Sequence, residues 1–259
     1  MNVLVVYAHP EPTSLNGAIK TEIVKHLQSL RHDVKVSDLY AMNWKAVLNE
    51  QDRTDKAPST PFHPSEDSRE AFVNGTQSAD ITQEQEKLLW ADLVIFQFPL
   101  WWFSMPAIMK GWFERVYAFG FAYGYGEHSD THWGDRYGEG KLSGKKAMLV
   151  ITAGGWESHY SGRGINGPIE DLLFPIHHGM LFYPGMEVLP PVVVYKTHKM
   201  DDDGFSHLSD ELLHRLRHVD TVDPIPFRRQ NLGDYSIPEL TLKSDITPET
   251  VGFSAHLQD

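Results

Sequence analysis

Three groups of residues in this chain are suited to binding a ligand, and each group follows a short apolar run. Thr13, Ser14 and Asn16 lie just before a helical pattern, where free N–H groups and the helix dipole attract anions such as phosphate. An aromatic triplet at residues 101–103 could form a wall against a flat ligand. Residues 152–161 contain paired glycines, which let a backbone approach a ligand closely and leave N–H groups free to donate.

The elements that must position these groups are apolar runs alternating with amphipathic helical patterns. Because strands that alternate with helices form parallel βαβ units, we expect an α/β fold. Five strands favour a doubly wound parallel five-stranded sheet in the order 2-1-3-4-5. Ser14 is expected to cap the first helix, and Ser104 the helix after the triplet, with Pro106 in its first turn. The predicted strands are residues 2–8, 33–37, 93–98, 147–152 and 187–195, and further helices cover about residues 80–90, 168–182 and 208–218.

In this strand order, the loops after strands one, three and four open at one edge of the sheet, beside the reversal in strand order. Phosphate, aromatic-plane and backbone-donor contacts then converge, which predicts a site for a flavin mononucleotide-like unit. Other interpretations stay open for each loop: Ser14 could act only as a helix cap, the triplet could be core, and the glycines could form plain turns. The chain has neither a Walker motif nor GxGxxG, so neither a P-loop nor a Rossmann dinucleotide fingerprint is predicted.

Composition limits the partners and the chemistry. A net charge of −12 argues against nucleic acid, and the absence of cysteine excludes disulfides, thiol redox pairs and thiolate metal sites. Redox chemistry would therefore need a bound cofactor. No segment approaches the roughly 20 apolar residues of a membrane span, and the first ten residues lack a basic leader, so we expect no membrane insertion and a cytoplasmic protein.

Two stretches carry no clear period. Residues 43–75 form a long excursion that is rich in proline, aspartate and serine, and such loops are usually functional or poorly ordered. From Asp220 onward, repeated prolines predict an extended tail that packs on a neighbouring surface.

Several stretches together resemble a known family, and they extend from the first predicted strand to about Tyr195. They read AHPEPTSLN, SDLYAMNW, ADLVIFQFPLWWFSMPAIMKGWFERV, FAYGY and ITAGGWESHYSGRGINGP. The chain resembles the NAD(P)H:quinone oxidoreductases of DT-diaphorase type. The resemblance implies a flavodoxin-like, FAD-binding catalytic domain over residues 1–219, with a C-terminal extension over residues 220–259 that packs on a homodimer. It also implies FAD rather than FMN, NAD(P)H as the hydride donor, and ping-pong two-electron reduction of a quinone at active sites shared between subunits.

The resemblance also implies roles for individual residues. FAD contacts are expected from His9, Thr13, Ser14, Leu15, Asn16, Ala18, Pro99, Leu100, Trp101, Trp102, Phe103, Thr152, Ala153, Gly154, Gly155 and Tyr160. The substrate pocket would comprise Trp102, Phe103, Tyr123, Tyr125 and Tyr183, the three tyrosines covering the neighbouring subunit's pocket. The catalytic set would be Gly154, Gly155, Tyr160, Asn166 and His159, with the glycine N–H groups stabilising negative charge on reduced flavin.

The chain departs from the family pattern at two places. Asn166 stands where the mammalian enzyme has a histidine that handles protons with the tyrosine matching Tyr160, and an amide cannot take up a proton near neutral pH. Whether His159 replaces that histidine is open. A polar insert at residues 127–144 could form a pocket rim or a plain surface loop. His177 and His178 point to different sides of a helix, so we predict no metal site there.

Alternative functions remain open at this point. The same flavin could reduce azo or nitro compounds. The protein could instead be a one-electron carrier like flavodoxin, since an acidic surface suits docking to basic redox partners. Some relatives of this fold regulate potassium-efflux systems, so a regulatory subunit is a third class.

Overall fold

A computed structural model describes residues 1–55 and 61–258. Strands and helices alternate along most of this length, as the sequence pattern predicts. The strands are β1 (Asn2–Tyr7), β2 (Asp33–Asp38), β3 (Leu93–Pro99), β4 (Lys146–Thr152), β5 (Glu187–Val188) and β6 (Val192–Val194). The helices are α1 (Leu15–Ser29), α2 (Pro64–Asn74), α3 (Ala79–Trp90), α4 (Ala107–Val116), α5 (Ile169–Ile176), which continues as π-helix over His177–Phe182, and α6 (Asp202–Arg217).

The sheet has the strand order β2-β1-β3-β4-β5, and its neighbouring strands are parallel. The predicted flavodoxin-like, doubly wound fold is therefore confirmed. The fifth strand is not continuous, however, because β5 and β6 each pair with a different part of β4. Pro190 and Pro191 stand between them, and a proline has no N–H group to donate to a ladder.

Buried side chains pack on both faces of the sheet. Ile19, Ile23 and Leu27 of α1 join Leu212 and Leu216 of α6 against one face. The larger cluster on the other face contains side chains of α3, α4 and α5. Because β1 and β3 lie between the two clusters, all of their residues from Val3 to Tyr7 and from Leu93 to Pro99 are buried. This rigid centre fixes where the loops at the carboxyl edge begin.

The excursion before residue 75 contains more regular structure than its sequence pattern suggests. A 3-10 turn covers Glu50–Asp52, and α2 begins at Pro64 and ends before Gly75, which adopts a left-handed φ of 68°. Pro64 at the start and Gly75 past the end are signals of a helix, and the hydrophobic periodicity alone did not reveal it. The helix buries little apart from Asp67 and Ala71, so it lacks an apolar stripe.

Ser104 does not cap α4, so that prediction was wrong. Ser104 pairs with Trp101 through two backbone hydrogen bonds, N–H to O in each direction, both 3.0 Å long. The helix begins at Ala107, with Pro106 as its N-cap residue. Because the Ser104 backbone is hydrogen-bonded within this tight turn, the helix begins three residues later, at Ala107.

The tail after Asp220 folds back onto its own chain. The Ile225 N–H donates to the Val188 carbonyl at 2.7 Å, and the Phe227 and Tyr235 side chains are buried. Phe253 stacks on Phe174 of α5, with ring centroids 4.3 Å apart. Contacts of this tail with a second subunit stay a prediction. Within residues 1–55 and 61–258, we find no helix with the length and apolar character needed to cross a membrane.

Candidate active site

The three loops predicted to meet at the carboxyl edge of the sheet do meet there. The His9 and Trp101 rings have centroids 6.0 Å apart, which joins the first loop to the second. The Thr152 hydroxyl donates to the Asn16 side-chain carbonyl at 3.1 Å, which joins the third loop to the first. The Leu100 N–H donates to the Thr152 carbonyl at 2.8 Å, which joins the second loop to the third.

The first loop is a compact turn at the N-terminus of α1. The Ser14 hydroxyl accepts from the Gly17 N–H at 3.3 Å, so Ser14 caps the helix as predicted. It also lies 3.0 Å from His9 Nδ1. The Glu11 carboxylate accepts from the Thr13 N–H and hydroxyl at 2.8 and 2.7 Å, and these hydrogen bonds lower the pKa of Glu11. Within the described ranges, the N–H groups of Leu15 and Asn16 donate to no protein acceptor, so they are available to an anion.

Gln97 is a positioning residue that the sequence reasoning missed. Its side-chain amide donates to the Asn16 carbonyl at 2.7 Å, and the residue is fully buried in β3. It therefore ties the start of α1 to the centre of the sheet. The signal was a single polar residue inside an otherwise apolar strand, because a buried amide needs hydrogen-bond partners.

The second loop is an exposed aromatic hairpin. Trp102 and Phe103 occupy its tip with φ of 50° and 62°, a left-handed conformation that costs a non-glycine residue roughly 1–3 kcal/mol. Their side chains are 96% and 50% exposed, and that of Trp101 is 41% exposed. The triplet is therefore not core. Strained, exposed aromatic residues on a rigid support indicate a binding surface.

The third loop offers backbone donors beside a tyrosine pair. In the part of the chain that the structure describes, the N–H groups of Gly154 and Gly155 donate to no protein acceptor. A Cβ at Gly155 would lie 3.0 Å from the Tyr160 ring, so glycine permits this close approach. Tyr160 packs against Tyr195, whose pKa is raised to about 12 by burial and by nearby Glu157.

His159 and Asn166 lie side by side in this loop, because the Asn166 N–H donates to the His159 carbonyl at 2.9 Å. His159 is exposed and Asn166 is half-buried. The structure thus places the two residues next to each other through their backbones. A role for either in catalysis stays a prediction.

The predicted substrate tyrosines lie at another part of the subunit. Tyr123 and Tyr183 line a cleft of about 370 Å³ with Glu114, and Glu114 pairs with Lys110 at 2.5 Å. The Lys141 ammonium lies 5.2 Å from the Tyr125 ring centre. Within the described ranges, no residue of the three loops lines this cleft. This arrangement is compatible with the expectation that these tyrosines serve a neighbouring subunit.

The insert at residues 127–144 is folded against its own chain. Asn231 of the tail donates to Glu139 at 2.7 Å, and His132 pairs with Asp135 at 2.8 Å. Among residues 1–55 and 61–258, these three ionisable side chains form the one group spaced closely enough to hold a metal ion. His177 and His178 are not part of it, and burial lowers the pKa of each to about 4.

Comparisons with known proteins agree with the fold and place the chain in a family. The family profile for the flavodoxin-like fold matches residues 1–216. The chain is 54% identical over 246 residues to the ribosyldihydronicotinamide dehydrogenase-like protein traD of Penicillium crustosum, covering 93% of this chain and 90% of that protein. It is 39% identical over 249 residues to NAD(P)H dehydrogenase [quinone] 1 of Cavia porcellus, covering 95% of this chain and 87% of that protein. The chain belongs to the NAD(P)H:quinone oxidoreductase family.

A solved structure extends the likeness to the whole chain. A Klebsiella pneumoniae protein, provisionally assigned as a quinone reductase, superposes with a TM-score of 0.97 at 63% identity and covers 100% of both chains. The expected family and fold are therefore confirmed, and the chain is an oxidoreductase of flavin-dependent type. The roles assigned to individual site residues remain predictions.

The residues present fit a flavin. Exposed aromatic rings face solvent beside free backbone donors and a helix N-terminus, which suits a molecule with a flat ring system and a phosphate-bearing chain. Gly154 has no atom within 4 Å of the position that a Cβ would occupy, so the surface there is open.

Proposed function

We propose that this chain reduces quinones with electrons from NAD(P)H, through FAD bound across the three loops. The observation that carries the proposal is the exposed, strained aromatic hairpin at the carboxyl edge, beside the free glycine N–H groups. A flavin held there would supply the two-electron chemistry that couples oxidation of the nicotinamide to reduction of the quinone. We further propose that the two substrates occupy one pocket in turn, which is a ping-pong order.

Each loop has a defined task in this proposal. The N-terminus of α1, capped by Ser14, holds the phosphate end of FAD through N–H groups and the helix dipole. The aromatic hairpin supports the flat ring system, while the N–H groups of Gly154 and Gly155 stabilise negative charge that develops on it. Tyr160 and its neighbour His159 hold or exchange protons at the opposite rim, where Asn166 can only donate or accept a hydrogen bond.

We also propose a homodimer with shared active sites. Trp101, Trp102 and Phe103 are 41%, 96% and 50% exposed in the single subunit, and a contiguous exposed apolar patch of this kind marks a site of contact with a ligand or protein. The cleft of Tyr123 and Tyr183 would then close the neighbouring subunit's pocket. A cytoplasmic location stays a prediction.

The proposal is tested by purifying the protein and identifying its flavin. We expect a yellow protein that releases FAD, whose colour bleaches under anaerobic NADPH or NADH and returns on addition of menadione. The matched variant Trp102→Ala should fold normally but turn over menadione more slowly, whereas Val73→Ala, at an exposed valine of α2, should behave as the parent.

Other outcomes would contradict the proposal. A colourless protein that cannot be reconstituted with FAD would refute it. A stable semiquinone during reductive titration would favour a one-electron carrier. Faster turnover of azo or nitro compounds than of any quinone would show that the substrate is not a quinone, although the flavin site would stand.

A further inference from the structure

Two lysines are folded over one exposed tryptophan at the rim of the third loop. The Lys196 ammonium lies 4.2 Å from the Trp156 ring centre, and the Lys199 ammonium lies 5.0 Å from the same ring centre. Trp156 is 44% exposed, and both lysines are exposed. An ammonium over an indole face is held by the ring quadrupole, yet its N–H groups remain available to other acceptors.

The backbone holds both lysines on the same side of the loop. Thr197–Lys199 is a 3-10 turn, in which residues three apart eclipse one another. The Lys199 N–H donates to the Lys196 carbonyl at 2.8 Å, and the Lys196 N–H donates to the Gly155 carbonyl at 2.9 Å. The lysine pair is therefore attached directly to the glycine that we assign to the flavin site.

The two ammonium groups are not neutralised by an ion pair, although the molecule as a whole is acidic. Within residues 1–55 and 61–258, no carboxylate lies within ion-pair distance of Lys196 or Lys199, which share the face of Trp156, whereas the whole chain carries −12. The carboxylates that follow, at residues 201–203, belong to the N-terminus of α6, where Asp201 caps the helix by accepting from the Gly204 N–H at 2.8 Å. A cationic rim beside the flavin site would attract an anionic substrate.

Nicotinamide hydride donors differ in the number of negatively charged phosphate groups that the two lysines could bind. A nicotinamide dinucleotide carries a diphosphate, and NADPH one further phosphate, whereas ribosyldihydronicotinamide carries none. Resting on the function proposed above, we propose that Lys196 and Lys199, held over Trp156, bind a phosphate group of the hydride donor and make this chain selective for dinucleotides over uncharged nicotinamide donors. Lysine ammonium groups bind phosphate through charge-assisted hydrogen bonds.

The test is the double variant Lys196→Gln/Lys199→Gln of the flavin-loaded protein. Flavin bleaching should be followed with NADH, NADPH and ribosyldihydronicotinamide, and NADP⁺ binding should be measured by calorimetry. We expect the KM for at least one dinucleotide to rise roughly tenfold and NADP⁺ binding to weaken similarly, since charge-assisted bonds are lost. The KM for ribosyldihydronicotinamide should stay within twofold, and added salt should reduce the parent's preference for dinucleotides.

Lys35→Gln is the matched control, because the Lys35 ammonium lies 4.1 Å from the Trp90 ring centre at another part of the fold. It removes the same charge and the same type of contact, and should leave all three donors unaffected. Weakening of NADH and NADPH alike would assign the lysines to the diphosphate, and weakening of NADPH alone to its extra phosphate.

An equal loss with all three donors, or no loss with either dinucleotide, would overturn the inference. If instead no donor bleaches the flavin of the parent protein, the proposed function itself fails. The two failures are therefore distinguishable.

Discussion

Trp102 and Trp112 belong to one aromatic-rich run, yet they occupy opposite environments. Trp102 is 96% exposed at the tip of a hairpin with a left-handed φ of 50°. Trp112 is fully buried on α4, where it packs edge-on against Phe96 and its indole N–H donates to Glu84 at 2.9 Å. One tryptophan carries a binding surface and the other supports the fold.

The difference shows why an aromatic run alone is ambiguous. Residue type gives both tryptophans the same tendency to be buried. The backbone decides between them, because a helix turns Trp112 toward the sheet while the hairpin lifts Trp102 beyond its edge. Exposure combined with strain is thus the sign of function here, and burial with a satisfied hydrogen bond is the sign of stability.

The largest expected effect comes from deleting the buried tryptophan. Trp112→Ala should lower the free energy of unfolding by about 3–5 kcal/mol, because it leaves a cavity and removes a donor from the buried Glu84. Trp102→Ala should change it by no more than about 0.5 kcal/mol. Urea denaturation of both variants measures the contrast. Equal losses of unfolding free energy would show that Trp102 supports the fold as much as Trp112 does.

Buried histidines on the core side should make the protein acid-sensitive. Burial lowers the pKa of His178 to about 4, so the folded protein binds fewer protons than the unfolded chain below pH 6.5. Stability is retained above about pH 6.5 and falls as the pH drops toward 4. His178→Phe should recover roughly 2 kcal/mol of the loss at pH 5.

Urea midpoints at pH 7 and pH 5 measure this effect. The exposed His207→Gln variant is the control, and it should show the parent's acid loss. If His178→Phe is as acid-sensitive as the parent, burial of this imidazole does not set the response.

The strained hairpin predicts a smaller gain in stability that is accompanied by lost function. Phe103→Gly removes a left-handed aromatic residue, whose strain of about 1–2 kcal/mol exceeds the entropy cost of glycine. We expect the free energy of unfolding to rise by up to about 1 kcal/mol, seen as a higher urea midpoint. We also expect kcat/KM for menadione to fall.

Leu232→Gly is the matched control for that prediction. Leu232 is 66% exposed, and its φ is not in the left-handed region, so glycine should cost stability there. A loss of stability in Phe103→Gly would show that the hairpin stores no strain.

The smallest effect concerns the rim opposite the aromatic hairpin. Asn166→His should introduce a titratable group beside His159 and change the pH dependence of flavin reduction a few-fold near the usual histidine pKa of about 6.5, with FAD still bound. Stopped-flow bleaching from pH 5.5 to 8 measures it, with Asn166→Gln as control. Superimposable profiles would show that this position takes no part in proton handling.

Local sequence pattern predicted the strands, the strand order and the meeting of the three loops, because buried parallel strands read as apolar runs. It missed α2, which has almost no apolar stripe, and it placed the α4 cap at Ser104, which the hairpin uses instead. It also predicted one continuous fifth strand where Pro190 and Pro191 divide two short ones. The lysine pair over Trp156 was missed because the contact joins two separate loops.

Residue pattern alone was enough to predict the flavodoxin-like sheet and the chemical types gathered at its edge, since periodicity and turn residues act over a few neighbouring positions. The helical period already indicated that Trp112 is buried, but packing was needed to show that Trp102 is exposed rather than core, and that Gln97 anchors the start of α1. Those properties depend on which distant residues come within a few ångströms of each other. They arise when the chain packs, and not from any single stretch of it.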